Sequence, residues 1–526
     1  MAMNVFGKLA AAINMNIANM KRRNAGFKKL TALGAVGFAL LAGISCAMAS
    51  KPDKPNVLLI LVDDLRPALG TYGDATALTP HIDRFASKGM RFDRAYANQA
   101  VCAPSRFNLL LGSRSSSSGI YGFGQNFRDY YPDAVTLPQY FKQHGYRTES
   151  MGKVFHIGHN TYADQDSWSV PHHKELVIEY VDPESKKEGF TREEALFSNQ
   201  LAQGLPRGLA WESPDVADDA YADGRVAQRA VERLRNLKSQ PDQPFFLAVG
   251  FARPHLPFSV PQKYWDLYDE DRLPLPGRTV RPEGAPPYAV KYGTEIDQYA
   301  PIPEKVTEEP FTDSLTRKLI HGYYAGVSYV DAQIGKVLDE LAALGLDDNT
   351  IVVLWGDHGY LLGEMGMWTK HVNYELANHI PLIISAPGVG QPGTHTAQLT
   401  ETVDIYPTLV ELAGLPVPQV PQPFDGLSMA PVLKDPEARI RDHAYHCFPR
   451  GGRLGRAIRT DRYRLVEWQK IGNATETPQY ELYDYQDGPM EVRNIANERP
   501  EVRKTLQVIL ARHPVPMPAR PQSPRH

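Results

Sequence analysis

Four short runs of almost unbroken apolar residues punctuate the chain: Asn56–Val62 (NVLLILV), Phe245–Val249 (FFLAV), Ile351–Trp355 (IVVLW) and Leu382–Ser385. Each is bounded by polar residues or glycine, so each predicts a strand buried on both faces, as in an α/β sheet covered by helices. Helical spacing falls between them. Thr79-Pro80 supplies an N-cap with proline at the first position, and Gly89 is expected to close a helix over His81–Lys88. The longest periodic stretch is Asp313–Leu344, where Tyr323, Val327, Val330, Ile334, Val337 and Leu341 recur at steps of four and three. Its apolar stripe predicts a scaffold helix lying on the sheet and stopped by Gly345.

Two proline-rich stretches break this rhythm. Leu273–Pro310 is long enough to predict a functional surface loop, and Leu415–Pro423 reads as a connection toward a smaller C-terminal unit. That unit carries strand-like segments at Ala457–Trp468 and Gln479–Tyr483 and a short helix near Pro500–Ala511. The expected organisation is a catalytic domain over 50–435, a C-terminal subdomain over 436–512 and a disordered tail over 513–526. No internal repeat is visible.

Composition changes the picture at the N-terminus. The first 49 residues hold six basic side chains and no acidic one, and lead into the apolar stretch Leu30–Ser45 and the small-x-small site Ala47-Met48-Ala49. That is the layout of a signal peptide over 1–49; a lipoprotein anchor on Cys46 and a retained membrane helix are the weaker alternatives. Removing those six charges takes the formal net charge from −3 to −9, which excludes a generally basic nucleic-acid-binding surface. An anionic substrate would have to meet a few local cations. Of three cysteines, Cys102 and Cys447 then remain, in a compartment that permits disulfides.

Candidate chemistry gathers at the strand ends. Asp63 and Asp64 follow Asn56–Val62 directly, where open α/β sheets place ligands. Adjacent acids repel one another, and a divalent cation relieves that cost, although an acidic turn or helix cap also explains a lone pair. The same grammar returns where Ile351–Trp355 runs into Gly356-Asp357-His358-Gly359, adding an imidazole. Cys102 is expected just ahead of the N-terminus of a helix with body Phe107–Leu111 and stop Gly112, with Arg106 one turn on. That field predicts a depressed-pKa thiol or the precursor of a more reactive group; the plain alternative is a small buried hydrophobe. Lys153 with His156, Arg253 with His255, and Lys370 with His371 add cations and imidazoles from separate loops. Together with a metal they would form an electropositive pocket able to stabilise an anionic ester in its transition state.

Cys102-Ala103-Pro104-Ser105-Arg106 resembles the Cys-x-Pro-Ser-Arg signature of type I sulfatases of the alkaline phosphatase superfamily. The likeness continues through NVLLILVDDLRPALGTYGD, GYRTESMGKVFH, PFFLAVGFARPHLPF, SYVDAQIGKVLDEL, GDHGYLLGEMGMWTK and IRTDRYRLVEW, in the family's order, and looks nearest to the iduronate-2-sulfatase branch. The resemblance implies a large α/β domain with a mostly parallel sheet between helices, followed by a smaller domain with an antiparallel sheet and one helix. It also implies that a formylglycine-generating enzyme converts Cys102 to formylglycine, whose hydrate is the nucleophile, leaving Cys447 a free thiol. Asp63, Asp64, Asp357 and His358 would bind calcium, or less readily magnesium or zinc, together with residue 102. Arg106 and Lys153 would hold the formylglycine oxygens, His255 with Lys370 would protonate the leaving alcohol, and His156 would take the remaining diol proton.

The implied protein is a periplasmic or secreted sulfatase acting on a sulfated oligosaccharide or polysaccharide, with uronate 2-O-sulfate favoured and ulvan or carrageenan within range. His358 stands where most sulfatases have Asn, and Tyr360 where the nearest branch has a substrate-pocket Trp. Two rivals stay open: a phosphonate monoester or phosphodiester hydrolase of the same superfamily, and a non-catalytic protein that binds sulfated glycans.

Overall fold

The computed structural model describes residues 54–175, 180–186, 191–200, 204–471, 476–486 and 488–524; the expected signal peptide lies outside them. We number the principal strands and helices in chain order. The main sheet contains β1 (Asn56–Val62), β2 (Met90–Tyr96), β3 (Arg147–Gly152), β4 (Phe245–Phe251), β5 (Thr350–Gly356), β6 (Leu382–Ser385) and β7 (Thr394–Glu401), in the spatial order β7-β2-β6-β5-β1-β4-β3. The two-residue strand His379–Ile380 adds to the edge of β2. β1 pairs in parallel with both β4 and β5, whereas β6 runs antiparallel to β5 and β2. The four apolar runs are thus all strands of this sheet.

Every residue of β1 is buried, and its side chains alternate between two cores. Leu58, Ile60 and Val62 face α4 (Ala222–Lys238) and α5 (Asp313–Ala343), while Val57, Leu59 and Leu61 face α2 (Cys102–Leu111), α3 (Leu137–Gln143) and α6 (Ile405–Leu412). Burying each such side chain stabilises the fold by about 1.5–3 kcal/mol, which explains why β1 is apolar at nearly every position. The long scaffold helix starts at its Thr312 cap, whose side chain accepts from Leu315 N, and ends before Gly345 at φ +61°.

Several expectations require correction. α1 covers Pro80–Ala86 and is not capped by the Thr79 side chain, which accepts from Gly70 N and donates to Asp83 instead. The Asp331 carboxylate of α5 reaches across to accept from Ile82 N at 2.7 Å and His81 N at 3.2 Å. Gly89 does not close α1; a Cβ there would stand 2.7 Å from Ile384 O, so its role is close approach to β6. Leu273–Pro310 is not simply a surface loop, because it buries Ile296, Tyr299 and Ile302 in the main core.

The C-terminal sheet has four antiparallel strands, β8 (Ala444–Arg450), β9 (Arg453–Arg459), β10 (Tyr463–Lys470) and β11 (Gln479–Asp484), with α7 (Pro500–Leu510) packed on it. The expected single strand Ala457–Trp468 is therefore two, folded at Thr460–Arg462, and β8 was not foreseen. The expected boundary at 435 falls between the short helix Ala430–Lys434 and β8. The tail expected to be disordered instead runs along the loop 116–126, to which Met517, Arg520 and Ser523 donate backbone hydrogen bonds.

Candidate active site

Sheet register brings the acids together. Val62 is level with both Phe251 and Gly356, so β1 and β5 end side by side; Asp63 N donates to Phe251 O and Asp357 N to Val62 O. Asp64 adopts a left-handed conformation at φ 55°, which Asp tolerates better than most residues, and its backbone N–H donates to Asp357 Oδ1 at 3.1 Å. The Tyr323 hydroxyl of α5 anchors the Asp64 carbonyl at 2.8 Å. Cys102 is the first residue of α2, capped by Val101, rather than standing ahead of the helix. Ser105 Oγ ties that helix to Asp357 O at 2.5 Å, and Gly112 at φ +66° ends it.

Asp63, Asp64, Cys102 and His358 each present a donor atom within 4.8 Å of the others, and all four are buried. Asp63 Oδ1 has no hydrogen-bond partner although it is buried, so it retains a free acceptor for a cation. These residues fit a divalent metal. Asp357 stands beside the set, its Oδ2 held by Arg106 Nη2 at 2.9 Å and Nε at 3.0 Å. Arg106 also lies 3.5 Å from Asp63 and donates to Lys153 O, so it braces the acids. Lys153 pairs with Asp63, and Lys370 donates to Asp64 at 2.8 Å.

Burial raises the Asp63 carboxyl, but Lys153, His255 and Arg106 outweigh it and hold the group well below the usual carboxylate range. Burial and then the Asp63 charge push Asp357 well up. The same two causes push the Cys102 thiol well above its ordinary value, the opposite of the expected depression. An unmodified thiol is therefore a poor nucleophile here.

A cavity of about 160 Å³ opens onto Cys102, His255 and Lys370 on one side and His156, Phe123 and Phe197 on another. His255 Nδ1 lies 2.6 Å from Leu256 O, while Nε2 lies 2.8 Å from Glu295 and 3.9 Å from Asp63. Both ring nitrogens thus lie beside oxygen atoms, the Leu256 carbonyl and the Glu295 carboxylate. His156 is the reverse: burial and then Lys153 hold it well below its usual value, and its Nδ1 is unpartnered. The site assembles every candidate residue, although it does not bring His156 and His255 into contact with each other.

Sequence reasoning missed Glu295, which bridges His255 and Lys370, the latter at 2.9 Å. It also missed Phe123 and His159, which line the cavity. The His156-x-x-His159 spacing was one available signal; the expected functional stretch Leu273–Pro310 does contribute Glu295, but nothing in its sequence singled that residue out. Tyr360 does not line the cavity: it is 2 % exposed and packs in the core against Tyr323 at 6.4 Å. Cys102 and Cys447 are both free and buried.

Comparisons with known proteins agree with this geometry. The profile of the family described as Sulfatase matches residues 55–415, and that described as N-sulphoglucosamine sulphohydrolase, C-terminal, matches 363–513. The chain is 32% identical to mouse (Mus musculus) iduronate 2-sulfatase, covering 88% of this chain and 96% of that protein. It is 33% identical to the human (Homo sapiens) enzyme, covering 85% and 92%. In fold, a phosphonate monoester hydrolase from Silicibacter pomeroyi superposes with TM-score 0.68 at 24% identity, over 88% of this chain and 95% of that one. Paired acids at adjoining strand ends, a buried helix-borne Cys-x-Pro-Ser-Arg and a match over most of its length place this chain in the sulfatase family, as a sulfuric ester hydrolase of the alkaline-phosphatase-like fold.

Proposed function

We propose that the protein is an exported sulfatase, periplasmic or secreted, that removes sulfate esters from a sulfated carbohydrate through a formylglycine made from Cys102. The observation that carries this reading is the burial of Cys102 at the start of α2 among the acid cluster, facing the cavity, with its thiol pushed up in pKa. A thiol so placed, buried at a helix start beside the acids and open to the cavity, is well placed as a precursor. The formylglycine hydrate would supply the hydroxyl that attacks sulfur. Calcium held by Asp63, Asp64, Asp357, His358 and residue 102 would supply positive charge beside the sulfate oxygens. Lys153 and Arg106 hold the acids and face residue 102 with their charge. His255, steadied by Glu295 and assisted by Lys370, is positioned to protonate the departing sugar oxygen. His156, neutral and with Nδ1 open, suits the removal of the second hydroxyl proton that expels sulfate.

Uronate 2-O-sulfate is the favoured ester, supported by the likeness to iduronate 2-sulfatases over most of the chain. Among the described residues no helix is long and apolar enough to cross a membrane. Mass spectrometry of the Cys102 peptide after co-expression with a formylglycine-generating enzyme is the direct test. Conversion lowers the peptide mass by about 18 Da; an unmodified thiol overturns the mechanism. Side-by-side turnover of a sulfate monoester, a phosphate diester and a phosphonate monoester tests the reaction class. Dominant turnover of either phosphorus ester would reassign the chemistry, and glycan binding without sulfate release from converted protein would leave a binding protein.

A further inference from the structure

Beyond α7 the chain extends along the loop 116–126. Prolines at 514, 516, 518, 521 and 524 remove nearly half the backbone donors from this tail. The N–H groups of Met517, Arg520 and Ser523 donate to Ser116 O, Gly119 O and Gly124 O, each at 2.8 Å. Their three-residue spacing is the period of a polyproline II helix, which presents one side to a partner at every third residue. The loop returns the contacts. Tyr121 OH donates to Met517 O at 2.9 Å, Gln125 Nε2 donates to Arg520 O, and Asn126 N donates to Ser523 Oγ at 2.8 Å. Gln522 Nε2 donates to Phe123 O at 3.1 Å, and the Arg520 guanidinium lies over Tyr130 and Tyr131 while donating to Tyr131 OH at 3.0 Å.

Two glycines leave room for the tail. Gly119 and Gly124 have φ of +77° and +68°, and a Cβ on them would stand 2.6 Å from Pro518 O and 2.2 Å from Gln522 Oε1. The loop itself has no regular element between the short helix Ser115–Ser118 and the turn Phe127–Asp129, so side-chain and tail contacts set its position. It carries Phe123, whose ring lines the catalytic cavity 4.8 Å from both His156 and His159.

We propose that residues 514–524 are a positioning strap for the catalytic cavity, holding Phe123 against His156 from behind without touching substrate. The inference rests on sulfate-ester hydrolysis and on no choice of sugar. Its test is a chain ending at His513, compared with the full chain for turnover of 4-nitrophenyl sulfate, amide hydrogen exchange of 116–126 and binding of a synthetic peptide of residues 514–526. Truncation is expected to speed exchange in that loop and to lower kcat/KM by about tenfold, the scale of a slightly misplaced catalytic wall. The peptide should bind the truncated chain but not the full one and restore turnover, whereas a scrambled peptide should do neither. Unchanged exchange and kcat/KM, or peptide binding that restores nothing, would overturn the proposal. Should the truncated chain not fold, Arg520→Ala and Gln522→Ala in the full chain are expected to lower kcat/KM severalfold and loosen the same loop; no change in either would overturn it. The exchange and peptide measurements read the strap whatever the substrate, so a wrong sugar assignment is distinguishable from a wrong strap.

Discussion

At the scale of single residues, Cys102 and Glu295 mark two different kinds of legibility. Cys102 is readable because its neighbours Pro104, Ser105 and Arg106 form a recognisable word. Cys102→Ala is expected to lower turnover by more than about 10³-fold while circular dichroism and thermal unfolding stay near wild type; retained turnover would remove the nucleophile assignment. Glu295 is unreadable because its function is a meeting with His255 and Lys370, which lie 40 and 75 positions away. Glu295→Gln is expected to lower kcat/KM by about ten- to a hundredfold with little loss of stability, since His255 and Lys370 lose their common anchor. Steady-state kinetics on the matured enzyme checks this, and unchanged kinetics would mean the bridge orients nothing. The depressed acidity expected for Cys102 did not hold, for a related reason: the helix start and, as the plain alternative, burial were legible, but not the Asp63 charge set beside the thiol.

At the scale of elements, β1, β4, β5 and β6 were plain because strands buried on both faces carry almost no polar positions, whereas β2, β3 and β7 of the same sheet mix polar with apolar residues and were missed. β8 and the break between β9 and β10 were missed because those strands mix half-buried and buried polar side chains with apolar residues, and a three-residue turn leaves little trace in such a run. Strand position also constrains the site. In β4, a Cβ on Gly250 would stand 2.1 Å from Lys153 O, so Gly250→Ala must displace the backbone that presents Lys153 to Asp63. That overpacking should cost about 1–3 kcal/mol and reduce activity as well. Chemical denaturation and turnover together check it, and a variant of unchanged stability would show that β3 and β4 separate more readily than their packing implies.

At the scale of the whole molecule, a buried ionic network joins the main sheet to the C-terminal sheet. Glu375 accepts from Arg464 at 2.8 Å, Arg459 at 3.1 Å and the Tyr96 hydroxyl at 2.7 Å. Burial raises its carboxyl, but Arg464 and Arg459 dominate and lower it to about 2. A folded pKa below the unfolded value gives stability that is full above about pH 4.5 and is lost as pH falls toward about 2. The linked contribution is roughly 3 kcal/mol. Glu375→Gln should therefore destabilise the protein at neutral pH and flatten its acid unfolding between those limits. A parallel downward shift at all pH values would contradict the linkage. Divalent-ion removal acts at the same scale: a site saturated at a hundred times its Kd adds about 2.7 kcal/mol. Chelation should lower the thermal midpoint and calcium should restore it; a midpoint indifferent to both would exclude a resident ion.

By itself the sequence determined the four apolar strands, the long scaffold helix, the C-terminal helix and which acids, imidazoles and cysteine gather at the strand ends, because each is written in local apolar spacing or in contiguous motifs. Tertiary structure alone decided that Asp331 rather than Thr79 caps α1, that Tyr360 turns into the core, that Glu295 joins the site and that the tail is ordered. In each of these cases the partner is distant in sequence, so its hydrogen bonds and charges come into existence only when the sheet register and helix packing have fixed where the chain passes.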